Sequence, residues 1–288
     1  MTLYQHLKNA IGAAHAAPAA AASLDTLLQI ELSRELERLQ DKAARQSPGN
    51  PAAEGFKVYS QADEDGILQA IFERLGIRLG SFVEIGCGSG IENNTHYLLL
   101  KGWRGVWVDG DPANIDSIRA GLPASDLLRV IEAMIDRESA PSLLDEQALS
   151  ALGGLDLLSV DIDGNDLDVA IACAKAWRPK VVIVEYNAKF PPPAVVHITY
   201  DPAHRWNGDD YHGASLAAFI AGFSNDYRLV SCNLAGTNAF FVRLDVAATF
   251  ADHPAERLYQ PARFHLTALR SGHAPTMSYL RKNLEVSR

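Results

Sequence analysis

Short apolar runs alternate with amphipathic segments between residues 56 and 244. The apolar runs are SFVEIG (81–86), GVWVDG (105–110), LLRVIEAM (127–134), LDLLSVDID (155–163) and KVVIVEYN (180–187). Such runs are typical of parallel strands that are buried on both faces. The segments between them predict crossover helices at 95–103, 112–121, 140–152 and 165–177. This alternation predicts an α/β fold with a doubly wound, mostly parallel Rossmann-like sheet.

The segments before and after this alternation predict further elements toward both ends of the chain. Residues 227–244 hold two β-rich runs about a turn-like Ala-Gly-Thr-Asn, which predicts a C-terminal antiparallel strand pair. Near the other end, leucines recur at helical spacing after Ser23, a suitable N-cap, and predict an amphipathic helix that ends at a Pro/Gly-rich linker. The tail is helix-like and mildly basic. The predicted units are an N-terminal helical extension with its linker (1–55), a main domain (56–244) and a C-terminal helical extension (245–288).

The leucines of the N-terminal helix lie on one face and form an apolar stripe that is expected to be buried. Its members are Leu24, Leu28, Leu32, Leu36 and Leu39. A contiguous apolar stripe is rarely left in water, so it packs back on the domain or against a second chain. We predict a homo-oligomer formed through this helix.

Composition and charge narrow the function classes. The 288 residues include 26 Lys+Arg and 35 Asp+Glu, a net charge of −9, whereas nucleic-acid binding needs a basic face. The sequence has no apolar run of the roughly 18 residues that a membrane helix requires. Its three cysteines show no CxxC or metal-type spacing, so a disulfide framework is not expected. We predict a cytoplasmic protein with no nucleic-acid partner and no transmembrane segment.

A glycine loop, Gly86-x-Gly88-x-Gly90, follows the first predicted strand and leads to a helix near Asn94. Glycines at this place let the backbone approach a ligand closely beneath a helix N-terminus. Asp109 closes the second strand 19 residues after Gly90. A carboxylate there can accept hydrogen bonds from both hydroxyls of a ribose. The arrangement predicts a nucleotide cofactor.

The glycine spacing favours one cofactor over another. A dinucleotide fingerprint places its third glycine three positions after the second, but Gly90 follows Gly88 by two. Glu84 stands two positions before the first glycine, and residues 80–100 contain no Lys or Arg to neutralise a diphosphate. The pattern resembles the motif I loop of class I S-adenosylmethionine-dependent methyltransferases, whose cofactor is cationic. An NAD-linked oxidoreductase and a non-catalytic S-adenosylmethionine-binding module are the alternatives.

Five further segments resemble one methyltransferase family. They are YSQADEDG (59–66), ENNT (92–95), WVDGDP (107–112), AMID (133–136) and VDIDG (160–164). Together they are similar to the FkbM-type family over about residues 57–244, which implies methyl transfer to a hydroxyl of a sugar or glycan-like acceptor. The resemblance also implies a set of cofactor contacts: Gly86, Gly88 and Gly90 with Glu84 at the methionine part, Asp109 at the ribose, Ala133 and Met134 at the adenine, and Gln61 and Asn94 near the amino-acid end.

Two acidic side chains stand at the ends of the fourth and fifth predicted strands. Asp161 and Glu185 would face the crevice in which ligands of doubly wound sheets collect. Asn187, two positions on, would point the same way if the strand continued. Oxygen ligands of this kind suit Mg²⁺, so Asp161, Glu185 and Asn187 form a predicted metal site. The alternative is that Asp161 hydrogen-bonds the cofactor or substrate without any ion.

The reaction also needs help in removing a proton, because a sugar hydroxyl is about as weak an acid as water. Asp161, His212 and Asp163 are the predicted catalytic residues. The family mostly has Glu where this chain has Asp163. Other candidates for the base are His197, Lys189 and His96. His212 lies in the long segment 188–213, whose length and aromatic residues predict a cover over the site.

Overall fold

A single mixed sheet of seven strands forms the centre of the protein, which was analysed as a computed structural model describing residues 18–286. The strands are β1 Ser81–Ile85, β2 Arg104–Asp109, β3 Leu128–Glu132, β4 Leu157–Val160, β5 Val181–Glu185, β6 Tyr227–Cys232 and β7 Asn238–Arg243. Their order across the sheet is β3-β2-β1-β4-β5-β7-β6. The first five are parallel, and β7 pairs antiparallel with both β5 and β6. The predicted doubly wound sheet with a C-terminal antiparallel pair is confirmed.

Helices cover both faces of this sheet. They are α1 Pro18–Gln46, α2 Glu64–Arg74, α3 His96–Leu100, α4 Pro112–Gly121, α5 Glu146–Ala151, α6 Asp166–Trp177, α7 Leu216–Phe223, α8 Ala255–Leu258 and α9 Ser278–Val286. The crossover predicted at 140–152 is divided into a 3₁₀ turn and α5, because Asp145 caps a new helix by accepting a hydrogen bond from Ala148 N.

The strand order reverses between β1 and β4, which are hydrogen-bonded neighbours. The chain winds from β1 to β2 and β3 on one side and continues through β4 and β5 on the other. At the reversal the crossover helices lie on opposite faces, so the carboxyl ends of β1 and β4 border a crevice. Ile85 pairs with Val160 at that end, so Gly86 and Asp161 follow the two strands side by side.

The leucine stripe of α1 packs on the protein's own core. Leu32 and Leu39 are buried in the cluster that also holds Trp107, with Leu28 and Leu36 packed against it. Because the stripe is covered within the chain, it gives no reason for a second copy, and the homo-oligomer stays an untested prediction. Ser23 lies inside α1 and is therefore not its N-cap. Residues 1–17 of the predicted N-terminal extension lie outside the described part of the chain.

Removing one leucine from this face tests the docking of α1. We expect Leu39→Ala to lower the free energy of unfolding by about 3 kcal/mol, the usual cost of truncating a fully buried leucine. Leu27→Ala is the matched control, since Leu27 is 55% exposed on the same helix. Chemical denaturation measures both variants. Equal, small losses would show that α1 is not docked.

The linker and the tail differ from their predictions. Residues 47–55 end α1 as expected, yet Pro51 and Ala52 are buried in a 3₁₀ turn that Asn50 caps. The tail was predicted to be helix-like, but its helical parts are two 3₁₀ turns, the single turn α8 and the nine-residue α9. Prolines at 254, 261 and 275 explain this, because proline lacks the amide hydrogen that a continuing helix needs. Within residues 18–286, no helix has the length and apolar character to cross a membrane.

Candidate functional site

A cavity of about 590 Å³ opens at the carboxyl ends of β1, β2 and β4, where the strand order reverses. Its walls come from the glycine loop, the end of β2, the loop after β3, the loop after β4 and the segment 202–206. The lining residues include Gly86, Gly88, Asp109, Ala133, Met134, Asp161, Asp163, Gly164, His204, Arg205 and Trp206. Five predicted cofactor residues and two predicted catalytic residues therefore share one cavity.

Gly86 allows β1 and β4 to end side by side. Its φ is +83°, and a Cβ there would lie 1.6 Å from the carbonyl oxygen of Asp161. The Gly86 amide donates to Val108 O at 2.8 Å, which also ties the loop to β2. Gly88 has a φ of +54° but open space at its Cβ position, so it faces the cavity. Gly90 packs instead against Trp107 and Met277 and does not line the cavity.

Asp109 connects the glycine loop to the end of β2. Its Oδ2 accepts from Gly88 N at 2.8 Å, while its Oδ1 accepts from Asp111 N at 2.8 Å and from Asn114 Nδ2 at 3.1 Å. A carboxylate offers about four lone-pair positions, and these contacts use three. The fourth, on Oδ2, is available to a ligand in the cavity.

Ala133 and Met134 form the wall opposite the glycine loop. Ala133 N donates to Asp109 O at 3.0 Å, which continues the ladder between β2 and β3 by one residue. Met134 is 59% exposed, and its sulfur lies 2.3 Å from the position that a Cβ on Gly110 would take. The thioether therefore lies against the backbone of Gly110, where a flat ring could pack on it.

Glu84 lies behind the glycine loop rather than in the cavity. It is buried and accepts hydrogen bonds from Asn94 N, Thr95 N, Thr95 Oγ1 and Asn93 Nδ2, so it fixes the segment that leads into α3. Burial raises its pKa to about 7, although these hydrogen bonds act in the opposite direction. Asn94 is buried too, with its Nδ2 on Ser159 Oγ at 3.1 Å. The structure gives both residues a role in the scaffold of the loop.

Gln61 lies apart from the cavity. Its side chain is exposed, and its carbonyl oxygen accepts from Lys57 Nζ at 2.9 Å. Asp65 holds the preceding segment in place, because its Oδ2 accepts hydrogen bonds from the amides of Val58, Tyr59 and Ser60. Neither Gln61 nor Asn94 lines the cavity in the described structure, and their place near the amino-acid end of the cofactor stays a prediction.

Three carboxylates converge at the ends of β4 and β5. One oxygen from each of Asp161, Asp163 and Glu185 lies within 4.8 Å of the others. Burial raises the pKa of Asp161 and Glu185 well above the usual range, and neighbouring carboxylates raise both further. Asp163 reaches the group because its backbone has a φ of +55°, in the left-handed region. The cluster is only partly buried, and its concentrated negative charge attracts a cation.

Asn187 does not join this cluster, which corrects the predicted ligand set. β5 ends at Glu185, so the strand alternation that would have aligned residue 187 is lost. Its Nδ2 donates to the carbonyl oxygens of Asp210 and His212, and its Oδ1 accepts from Lys189 N at 3.2 Å. Asn187 thus holds the segment 188–213 in place, and Asp163 stands in the cluster instead.

The predicted bases are dispersed. His212 and His197 line a separate cavity of about 130 Å³. Lys189 is paired with Asp210. His96 is buried, donates from Nδ1 to Gly90 O at 2.6 Å, and stacks on Tyr59 with ring centroids 3.8 Å apart. Of the predicted catalytic residues, only Asp161 and Asp163 line the main cavity.

The segment 188–213 covers one side of the main cavity, as its length suggested. Asn165 and Asp201 join it to the loop after β4 through two hydrogen bonds, Nδ2 to Asp201 O at 2.8 Å and Asp201 N to Oδ1 at 3.3 Å. This connection brings His204, Arg205 and Trp206 to the cavity. Trp206 is one of the aromatic residues that the sequence analysis expected in this cover, whereas His204 and Arg205 were not predicted, since the segment has no periodicity that fixes which side chains turn inward.

The buried carboxyls predict an unusual pH dependence of stability. A carboxyl whose pKa is raised by folding binds its proton more strongly in the folded state, so the stability it contributes is lost as pH rises through the folded pKa. Burial places the pKa of Glu84 at about 7 and raises that of Asp63. His96 acts in the opposite direction. Burial lowers its pKa to about 4, so it adds stability as pH rises from about 4 to its unfolded value of 6.5, and this contribution is nearly constant at higher pH.

We therefore expect the ligand-free protein to lose stability between pH 6.5 and 8. Thermal unfolding at constant ionic strength measures this, and Asp63→Asn is the control because it removes one of the titrating groups and should flatten the slope. A melting temperature that rises across this interval would contradict the burial of these carboxyls.

Comparisons with known proteins give structural matches alone. No family model matches the sequence, and no curated protein does. A TehB-like SAM-dependent methyltransferase from Corynebacterium glutamicum matches with 16% identity and a TM-score of 0.36, covering 67% of this chain and 92% of that one. The methyltransferase domain of bacterial CtHen1 matches with 15% identity, a TM-score of 0.40, and coverage of 64% and 97%.

Fibrillarin from Aeropyrum pernix, solved with natively bound S-adenosyl-L-methionine, matches with 12% identity and a TM-score of 0.36, covering 57% of this chain and 66% of that one. Scores and identities of this size carry no argument about activity. The FkbM resemblance stays a prediction.

Proposed function

We propose that this chain is an S-adenosylmethionine-dependent O-methyltransferase that acts on a hydroxyl of a sugar or glycan-like acceptor. The observation that carries the proposal is the charge of the main cavity. Its lining includes four aspartates, Asp109, Asp111, Asp161 and Asp163, against one arginine, Arg205. S-adenosylmethionine carries a sulfonium and an ammonium and has no phosphate, so it suits an acidic cavity, whereas NAD brings a diphosphate that would be repelled.

The shape of the cavity supports the same cofactor. Asp109 has one lone-pair position open toward the ribose side, and Gly88 leaves open space beside it. Met134 and Ala133 supply an apolar wall for an adenine, and Asp161 lies beyond Gly86 at the end where the methionine part would extend. In the proposed complex the cofactor therefore spans the ends of β2, β1 and β4 in that order.

The acceptor class rests on the sequence resemblance and on the mouth of the cavity. Trp206 lines the cavity and is 45% exposed, and Tyr211 on the same segment is 53% exposed. Exposed aromatic rings offer flat apolar faces on which a sugar ring can pack. When bound, the cofactor supplies an electrophilic methyl group, and the chain has to position one hydroxyl in line with it and exclude water.

We further propose that Asp161, Asp163 and Glu185 hold a divalent cation. The three carboxylates provide only oxygen ligands, which Mg²⁺ prefers. Besides burial, the neighbouring carboxylates raise the pKa of Asp161 and Glu185, a repulsion that a bound cation would relieve. A bound Mg²⁺ would lower the pKa of a coordinated hydroxyl. Asp163 replaces Asn187 in this ligand set, because β5 ends at Glu185 and the Asn187 amide bonds Asp210 and His212 instead.

Calorimetry with S-adenosylhomocysteine and with NADH tests the cofactor. We expect S-adenosylhomocysteine to bind with a stoichiometry of one and NADH not to bind, because of the cavity charge. Binding of NADH alone would establish the oxidoreductase alternative. Two results would favour the non-catalytic module. One is binding of S-adenosylmethionine without methyl transfer to any member of a broad glycoside panel. The other is an Asp161→Ala variant that behaves like the native chain.

A separate titration tests the cation. Mn²⁺, observed by electron paramagnetic resonance, serves as the probe for the Mg²⁺ site. We expect Glu185→Gln to weaken Mn²⁺ binding by about tenfold or more through the loss of one charged ligand, with S-adenosylhomocysteine affinity retained. Glu138→Gln is the matched control, since Glu138 lies outside the cluster. No saturable Mn²⁺ binding to the native chain would remove the metal from the proposal and leave the methyl transfer standing.

A further inference from the structure

His204 is the histidine that lines the main cavity in the described part of the chain. Its Nε2 is buried and has no hydrogen-bond partner among residues 18–286. A buried ring nitrogen without a partner costs free energy unless a ligand or water satisfies it. The nitrogen therefore marks a place in the cavity where a polar atom of a ligand fits.

The imidazole lies where the side chain of residue 164 would otherwise begin. Residue 164 is a glycine, and a Cβ built there would lie 2.6 Å from His204 Cδ2. Gly164 follows directly after Asp163 of the acidic cluster. The absence of a side chain at this position thus gives the ring of His204 room beside the carboxylates at the end of β4.

Backbone contacts fix the residue that carries this ring. His204 N donates to Asp201 O at 2.9 Å, and that same oxygen accepts from Asn165 Nδ2. Asn165 directly follows Gly164 at the start of α6, and its side chain bonds Asp201, so the turn that carries His204 is tied to the segment that carries Gly164. The Arg205 side chain donates to His204 O at 2.6 Å, which restrains the turn further.

We propose that His204 accepts the proton of the acceptor hydroxyl during methyl transfer, an inference that rests on the proposed function. The acceptor oxygen forms a bond to the methyl carbon, and the bond between that carbon and sulfur breaks. The electron pair of the broken bond stays on sulfur, which gives neutral S-adenosylhomocysteine. The hydroxyl proton passes to Nε2 of His204, which then releases it to water.

The other groups near the cavity are less suited to this step. Asp161 and Glu185 are close carboxylates that repel each other, and in the proposal they bind a cation. His212 lines the neighbouring small cavity, with its ring 5.3 Å from that of Trp206. His204 instead lines the main cavity with a ring nitrogen that has no hydrogen-bond partner among residues 18–286.

Imidazole ¹⁵N spectroscopy of the full chain tests the proposal without knowledge of the acceptor. The probes are S-adenosylhomocysteine and sinefungin, in which an amine-bearing carbon replaces the methyl sulfonium. We expect sinefungin to shift the His204 Nε2 resonance, because its ammonium occupies the transferred methyl's place and donates to that nitrogen. S-adenosylhomocysteine, which lacks this group, should leave the Nε2 resonance unshifted. His204→Gln identifies the resonance by its loss.

Two glycine variants sharpen the test. Gly164→Ala should abolish the shift, because the added methyl group displaces the ring, while S-adenosylhomocysteine still binds. Gly121→Ala is the matched control, since its Cβ would make ordinary contact with Met277 at 3.4 Å. If both cofactor analogues bind and His204 does not respond to sinefungin, the inference is wrong and the proposed function stands. If neither analogue binds, the proposed function itself fails.

On an acceptor found in the glycoside panel, His204→Gln should lower kcat by about 100-fold or more, the usual contribution of a general base. The KM for S-adenosylmethionine should stay within about twofold, because His204 acts on the acceptor and not on cofactor binding. His253→Gln is the control and should retain kcat, since His253 contacts Pro48 O and does not line the main cavity. Equal losses in the two variants would mean that the effect is structural.

Discussion

Gly86→Ala is expected to remove cofactor binding and to lower the free energy of unfolding by about 4 kcal/mol. About 1 kcal/mol comes from placing a Cβ on a residue with a φ of +83°. About 3 kcal/mol comes from the contact with the carbonyl oxygen of Asp161, 1.6 Å away, which backbone movement alone can relieve. Since that movement separates the ends of β1 and β4, the cavity between them changes shape as well.

Thermal unfolding and S-adenosylhomocysteine titration measure the two parts of this prediction. For a chain of this size, the melting temperature should fall by about 10 °C. Gly88→Ala is the matched control, because its φ is +54° and its Cβ position is open, so only about 1 kcal/mol is expected. Similar losses in the two variants would show that β1 and β4 do not approach as closely as described.

Asp109→Ala should weaken S-adenosylhomocysteine binding by about 100-fold. Hydrogen bonds from ribose hydroxyls to a carboxylate contribute roughly 1.5 to 3 kcal/mol each, and one such bond together with the loosened glycine loop accounts for about 3 kcal/mol. The loop loosens because Gly88 N loses its acceptor. Calorimetry at one ionic strength measures the change.

Two further variants separate the charge of Asp109 from its geometry. Asp109→Asn keeps one oxygen acceptor and should lose about tenfold in affinity. Asp145→Ala removes the N-cap of α5 outside the cavity, so it should cost about 1 kcal/mol of stability with little change in affinity. Unchanged binding in Asp109→Ala would place the ribose elsewhere and contradict the proposed orientation of the cofactor.

The strands were predictable because their signal is local. Val181–Glu185 and Ser81–Ile85 are runs of residues that are buried on both faces of a parallel sheet, and such runs differ from everything around them in the sequence. The glycine loop was predictable for a related reason: Gly86 and Gly88 adopt positive φ angles that side chains disfavour, so the conformation selects the residue type.

The remaining site residues depend on contacts between distant segments. Asn187 looked like a ligand because strands alternate, but the strand ends at Glu185 and the amide turns to Asp210 and His212. Asp163 joins the acidic cluster through a left-handed backbone that the sequence did not reveal. His204 reaches the cavity through the contact between Asp201 and Asn165, which are 36 positions apart.

The sequence by itself determined the α/β sheet, the position of its glycine loop and the identity of Asp109 at the end of β2. Each follows from the properties of neighbouring residues, namely burial, backbone freedom and spacing. The tertiary structure alone decided which carboxylates converge, that Glu84 supports the loop from behind, and that His204 lies beside Gly164. Those relations arise where segments far apart in the chain pack together, and no local pattern encodes the distance between them.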